Sequence, residues 1–86
     1  GFALGQNYPN PFNPSTRISF TIPEKGSVTL KVYNVAGSEV KTILNSEMQA
    51  GEHSVQFDAG SLSSGIYFYT LRANGVSETR KMILVK

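Results

Sequence analysis

Few side chains in this sequence are of the types that do chemistry, and their spacing argues against catalysis. His53 is the only histidine, and period-two alternation puts it in register with Val55 and Phe57 on one strand face. It reads as a partly buried strand residue. A catalytic triad would need a nucleophile and an acid converging on the imidazole, which this spacing does not show. No cysteine is present, which removes thiol nucleophiles, disulfide staples and structural zinc held by thiolates. The six carboxylates, Asp58 and Glu24, Glu39, Glu47, Glu52 and Glu78, fall mostly at strand ends and turns, without the spacing of metal ligands or of a glycosidase pair. Gly26, Gly37, Gly51, Gly65 and Gly75 punctuate turns, and none opens a phosphate-cradling loop before a helix. The expectation is a chain that is not an enzyme and takes neither cofactor nor metal.

Recognition chemistry is better represented. The run Tyr67-Phe68-Tyr69 could form a stacking platform for carbohydrate or nucleic acid, or it could be core. Alternation puts Tyr67 and Tyr69 on one face with Leu71, so the tyrosines are expected inside, leaving Phe68 and Tyr33 as exposed anchors for a partner. Eight basic against six acidic residues leave a net charge of +2, too small an excess to indicate nucleic acid. The basic residues are uneven, however: Arg72, Arg80, Lys81 and Lys86 face only Glu78 in the last fifteen positions. Such a cluster either guards an edge strand or forms a docking patch.

The elements that must position these residues are strands. Eighty-six residues make one domain, which buries only about 60% of its unfolded surface. A hydrophobic fraction of 40% supports a folded core, and no apolar run is long enough to span a membrane as a helix, so no direct membrane insertion is expected. Residues 1–15 carry three of the four prolines and read as a stiff linker arm, whose apolar anchors Leu4, Tyr8 and Phe12 are expected on the domain body and which can add a seventh strand. Residues 16–86 then alternate: Ile18, Phe20 and Ile22; a tight turn at Pro23-Glu24-Lys25-Gly26; Val28, Leu30 and Val32. Asn34 to Gly37 closes a hairpin into a strand near Glu39–Leu44, where Ile43-Leu44 breaks alternation and predicts a bulge. A polar loop is expected from Asn45 to Gly51, then strands at His53–Asp58, Ile66–Ala73 and Ser77–Val85, the last two joined by a type I′ turn at Asn74-Gly75. Leu62 reads as a plug over one end of the core. No helical periodicity appears, so the fold class is an all-β, immunoglobulin-like antiparallel β-sandwich of six to seven strands.

Four segments together resemble a known family. They are Gln6-Asn7-Tyr8-Pro9-Asn10-Pro11-Phe12-Asn13-Pro14, Val32-Tyr33-Asn34-Val35-Ala36-Gly37-Ser38-Glu39-Val40, Leu62-Ser63-Ser64-Gly65-Ile66-Tyr67 and Lys81-Met82-Ile83-Leu84-Val85-Lys86. In this order and spacing the chain is similar to a type A C-terminal sorting domain of the type IX secretion system of Bacteroidetes. The resemblance implies an address label joined to an upstream cargo, passing through the periplasm to the cell surface or beyond. Its implied partners are the outer-membrane type IX translocon and a surface cysteine protease (a sortase) that removes the domain and can join cargo to lipopolysaccharide. The recognition positions it implies are Gly37, Glu39, Gly65, Tyr67, Lys81 and Lys86; Ser38 departs from the basic residue of the family pattern. Rival readings are an immunoglobulin-like spacer resembling part of the flagellar hook-cap scaffold, and a carbohydrate-binding accessory module using Phe68 and Tyr33. A weak homodimer through an uncovered edge strand is a further expectation.

Overall fold

The computed structural model describes residues 1–86, which form seven strands and no helix. They are β1 (Ala3–Leu4), β2 (Ser15–Ile22), β3 (Gly26–Tyr33), β4 (Glu39–Met48), β5 (Gly51–Asp58), β6 (Gly65–Ala73) and β7 (Val76–Leu84). β1-β2-β5 make a three-stranded sheet and β4-β3-β6-β7 a four-stranded one, every pairing antiparallel. The sandwich between them is the expected fold class. Alternation decides which side chains enter it: Ile18, Phe20 and Ile22 from β2, Val28, Leu30 and Val32 from β3, and Tyr67, Tyr69 and Leu71 from β6 are all buried. Each such apolar side chain contributes about 1.5–3 kcal/mol of burial energy, the main term holding the sheets together.

Turn chemistry sets the connections. Asn74 (φ 53°) and Gly75 (φ 77°) both adopt the left-handed conformation that a type I′ turn requires, and β6 and β7 pair without a register break. Pro23 to Lys25, expected as a hairpin turn, instead carries the chain from one sheet to the other, because β2 pairs with β1 and β5 while β3 pairs with β4 and β6. The polar stretch Asn45 to Met48, expected as loop, belongs to β4, which runs ten residues. The predicted irregularity is present, with register shifts that leave Ile43 and Val40 unpaired against β3.

Residues 1–15, expected to rest on the domain body through apolar anchors, are laced onto the sandwich as a strap that supplies the seventh strand. β1 pairs with β2, Tyr8 bridges Arg17, and Phe12 bridges Leu84 in parallel. Leu4 and Phe12 are buried anchors as expected, whereas Tyr8 is 80% exposed. Prolines exclude a regular strand here, so side-chain amides make many of the bonds. Gln6 Nε2 donates to Lys81 O at 2.8 Å, and Asn10 Oδ1 accepts from Ile83 N at 2.9 Å.

Candidate functional site

Register places the outward side chains of the four-stranded sheet in rows across its strands. One row reads Glu39, Tyr33, Phe68, Lys81 from β4 to β7, because Tyr33 pairs with Glu39 and with Phe68, and Phe68 pairs with Lys81. The neighbouring row toward the chain's end holds Ile66 beside Ile83. The row on the other side holds Thr42, Lys31, Thr70 and Thr79. An aromatic–aliphatic patch is thus framed by an acid and a base about 14 Å apart, three strand spacings. Tyr33 and Phe68 are half-buried by their neighbours, while Ile66 is 42% exposed.

The acid of this row is held in place. Thr42 donates its hydroxyl to Glu39 Oε2 at 2.8 Å, and Lys31 Nζ lies 3.3 Å from Oε1. The Thr42 bond first, and Lys31 second, keep the Glu39 carboxyl below its ordinary range. The preceding turn is equally fixed: Asn34 Oδ1 accepts from the amides of Ala36 and Ser38, both at 3.0 Å. Gly37 stands at φ 84°, where a side chain would be strained, and Val35 in the same turn is 72% exposed.

The remaining expected positions shape the loop between β5 and β6. Gly65 opens β6 opposite Leu84. Tyr67 lies inside the sandwich, and its hydroxyl donates to Ser63 O at 2.7 Å. Lys86 holds the same loop from outside, its Nζ donating to Gly60 O at 2.6 Å and its backbone amide to Ser64 Oγ at 2.9 Å. The chain's end is therefore fastened to a loop near the patch. All six positions gather toward one end of the sandwich; Gly37, Glu39, Gly65, Lys81 and Lys86 are exposed there, and Tyr67 is not.

The expected docking edge along β7 is largely occupied. Besides the Gln6 and Asn10 bonds, Phe12 N donates to Ile83 O and Val85 N to Phe12 O, both at 2.9 Å. Arg80 Nε donates to Leu4 O at 2.6 Å, and Leu4 N to Glu78 Oε1 at 3.1 Å. Two of the basic residues therefore have structural neighbours: Arg80 clamps the strap, and Lys86 clamps a loop. Lys81 alone stands on the patch rim.

Comparison with known families identifies the domain. A family model described as a secretion system C-terminal sorting domain matches residues 6–86. The chain belongs to that family. It is a sorting domain of type IX secretion, and the family consists of sorting signals rather than known enzymes. A sorting domain works by interaction with the secretion machinery and by export to the cell surface or the extracellular space. Its matched span includes the strap from Gln6 onward, which is consistent with a segment bonded to the last strand rather than a detached spacer. Ile66 and Ile83 were not among the expected recognition residues. Their signal was available, since alternation puts Ile66 on the face of Phe68 and Ile83 on that of Lys81.

Proposed function

We propose that the outer-membrane type IX translocon reads this domain at the patch of Tyr33, Phe68, Ile66 and Ile83. Glu39 and Lys81 then fix the register of docking, and Gly37, Gly65, Tyr67 and Lys86 hold the turn and loop that border it. What supports this reading is the row Glu39–Tyr33–Phe68–Lys81, an apolar centre with opposite charges at its two ends. An apolar centre supplies affinity, whereas rim charges chiefly select partner and orientation. In the same reading the cargo is joined on the N-terminal side of β1, crosses the periplasm attached to the domain, and is released by a surface cysteine protease that removes it.

The test is export of a reporter carrying an export signal and this domain. Phe68→Ser combined with Lys81→Glu should leave a folded domain and retain the reporter in the periplasm of cells that have the translocon. Arg72→Glu, on the same sheet face but toward the opposite end, should export normally. Undiminished export of the double variant would overturn the assignment.

A further inference from the structure

The two sheets are unequal, and the shortfall lies on one side. β1 lies against β7, where the strap closes the sandwich. One sheet has three strands and the other four, so a count across from that side leaves β4 as the strand without a counterpart. Burial follows this count. The inward Val28, Leu30 and Val32 of β3 are 0% exposed, yet no residue of β4 is buried. Leu44 and Met48 of β4, with Val55 of β5, only partly cover themselves against the core.

The free edges on this side also differ. β4 is interrupted by two register shifts and carries Lys41 opposite the buried Val32, devices that discourage strand addition. β5 pairs with β2 over all eight residues without a break. Strap bonds to the backbone of Arg17 and Ser19 show that odd-numbered residues of β2 point away from β5. By alternation the even-numbered residues of β2 bond β5, through Gly51, His53, Val55 and Phe57. The amides and carbonyls of Glu52, Ser54 and Gln56 therefore face outward along an unbulged edge.

We infer that the β5 edge accepts an extended polypeptide segment from a partner protein, added as a fourth strand of the smaller sheet and laid over β4. Its backbone bonds to Glu52, Ser54 and Gln56, and its alternate side chains are apolar, covering Leu44, Met48 and Val55. Its outward side chains are basic at the two ends, beside the exposed Glu52 and Asp58, and uncharged at the centre, where Arg17 Nη1 already donates to Ser54 Oγ at 3.0 Å. A second copy of this chain is disfavoured by charge, because two antiparallel β5 edges bring Glu52 of one copy toward Asp58 of the other. This site is separate from the Tyr33–Phe68 patch, and neither requires the other.

The test titrates the isotopically labelled 86-residue chain with an acetylated octapeptide in which valine alternates with outward residues, lysine at the two ends and threonine between, followed by amide and methyl shifts. Shifts should centre on the amides of Glu52, Ser54 and Gln56 and on the methyl groups of Leu44 and Val55, with slowed exchange at Ser54. Ser54→Pro removes an outward amide at an edge position that tolerates proline, and should weaken binding roughly tenfold or more. The same peptide N-methylated at alternate residues should produce no shifts, an arm that needs no protein variant. Any of three results overturns the inference: shifts confined to β4 or to Phe68, equal binding of the N-methylated peptide, or no binding at millimolar concentration. Sedimentation as a dimer with β5 amides protected in the absence of peptide would overturn the choice of occupant.

Discussion

The β1/β7 side and the β4/β5 side of this sandwich are built to different standards. On the first, the strap supplies backbone and amide bonds along β7, and the Tyr69 hydroxyl bridges it, accepting from Asn7 N and donating to Gly5 O, both at 2.8 Å. Asn7 itself is buried, with its amide bonded to Thr16 Oγ1 at 3.0 Å and to Pro9 O at 3.2 Å. On the second side the apolar residues are half-wet and the edge strands end in solvent. The finished side ties the first residues to the last, so the N-terminal segment and the C-terminal strand fold as one unit. The unfinished side is the place where another chain can be accommodated.

Matched core truncations should break or sharpen this contrast most strongly. Phe12→Ala removes a buried ring packed near Phe57, at 6.1 Å between centroids, and should cost about 3–5 kcal/mol. Leu44→Ala on the open side should cost about 1 kcal/mol, because only part of its side chain leaves water on folding. Denaturant unfolding of the two variants measures the difference, and equal losses would remove the asymmetry. Next in size, Tyr69→Phe leaves the buried Asn7 amide without its acceptor, for about 1–3 kcal/mol. Hydrogen exchange should then accelerate at Asn7 and along the strap but stay unchanged in β4.

Titration adds a smaller effect of opposite sign on the two sides. Burial pushes the Tyr69 phenol above its ordinary value, outweighing the Asn7 amide and Arg80, which pull it down. Stability from the protonated phenol is present in full below the unfolded pKa of about 10 and is lost as pH rises through the higher folded value. Tyr69→Phe should erase that alkaline loss. Glu39 lies below its ordinary range through Thr42 and Lys31, so its contribution is present above the unfolded carboxylate pKa and fades as pH falls through the folded one. Because Glu39 is solvent-exposed, Thr42→Val should change acid stability only slightly, the smallest effect of the set.

Much of the closed core was legible because alternation carries through it. Ile18, Phe20 and Ile22, and then Val28, Leu30 and Val32, could hardly face any other way without exposing three apolar residues at once. Asn74-Gly75 identified its hairpin for an equally local reason. Pro23 to Gly26 did not reveal that it changes sheets, because the same turn residues serve a hairpin and a crossover. Asn45 to Met48 read as loop because an edge strand without a facing neighbour has no buried face to impose alternation. The strap was legible only in part: its prolines and apolar anchors mark an irregular segment lying on the body, while its long-range amide bonds appear only once β7 lies beside it. At the candidate site, the motif residues were readable one by one, and the row that joins Glu39 to Lys81 through Tyr33 and Phe68 came from register alone.

The reading of that row as the recognition surface is most directly tested by site-specific photocrosslinking in cells exporting a cargo fused to this domain. A benzophenone side chain replacing Phe68 should crosslink to an outer-membrane component of the translocon. The same group replacing Arg72, on the same sheet face toward the other end, should not. Crosslinking from position 72 with none from position 68 would contradict the account.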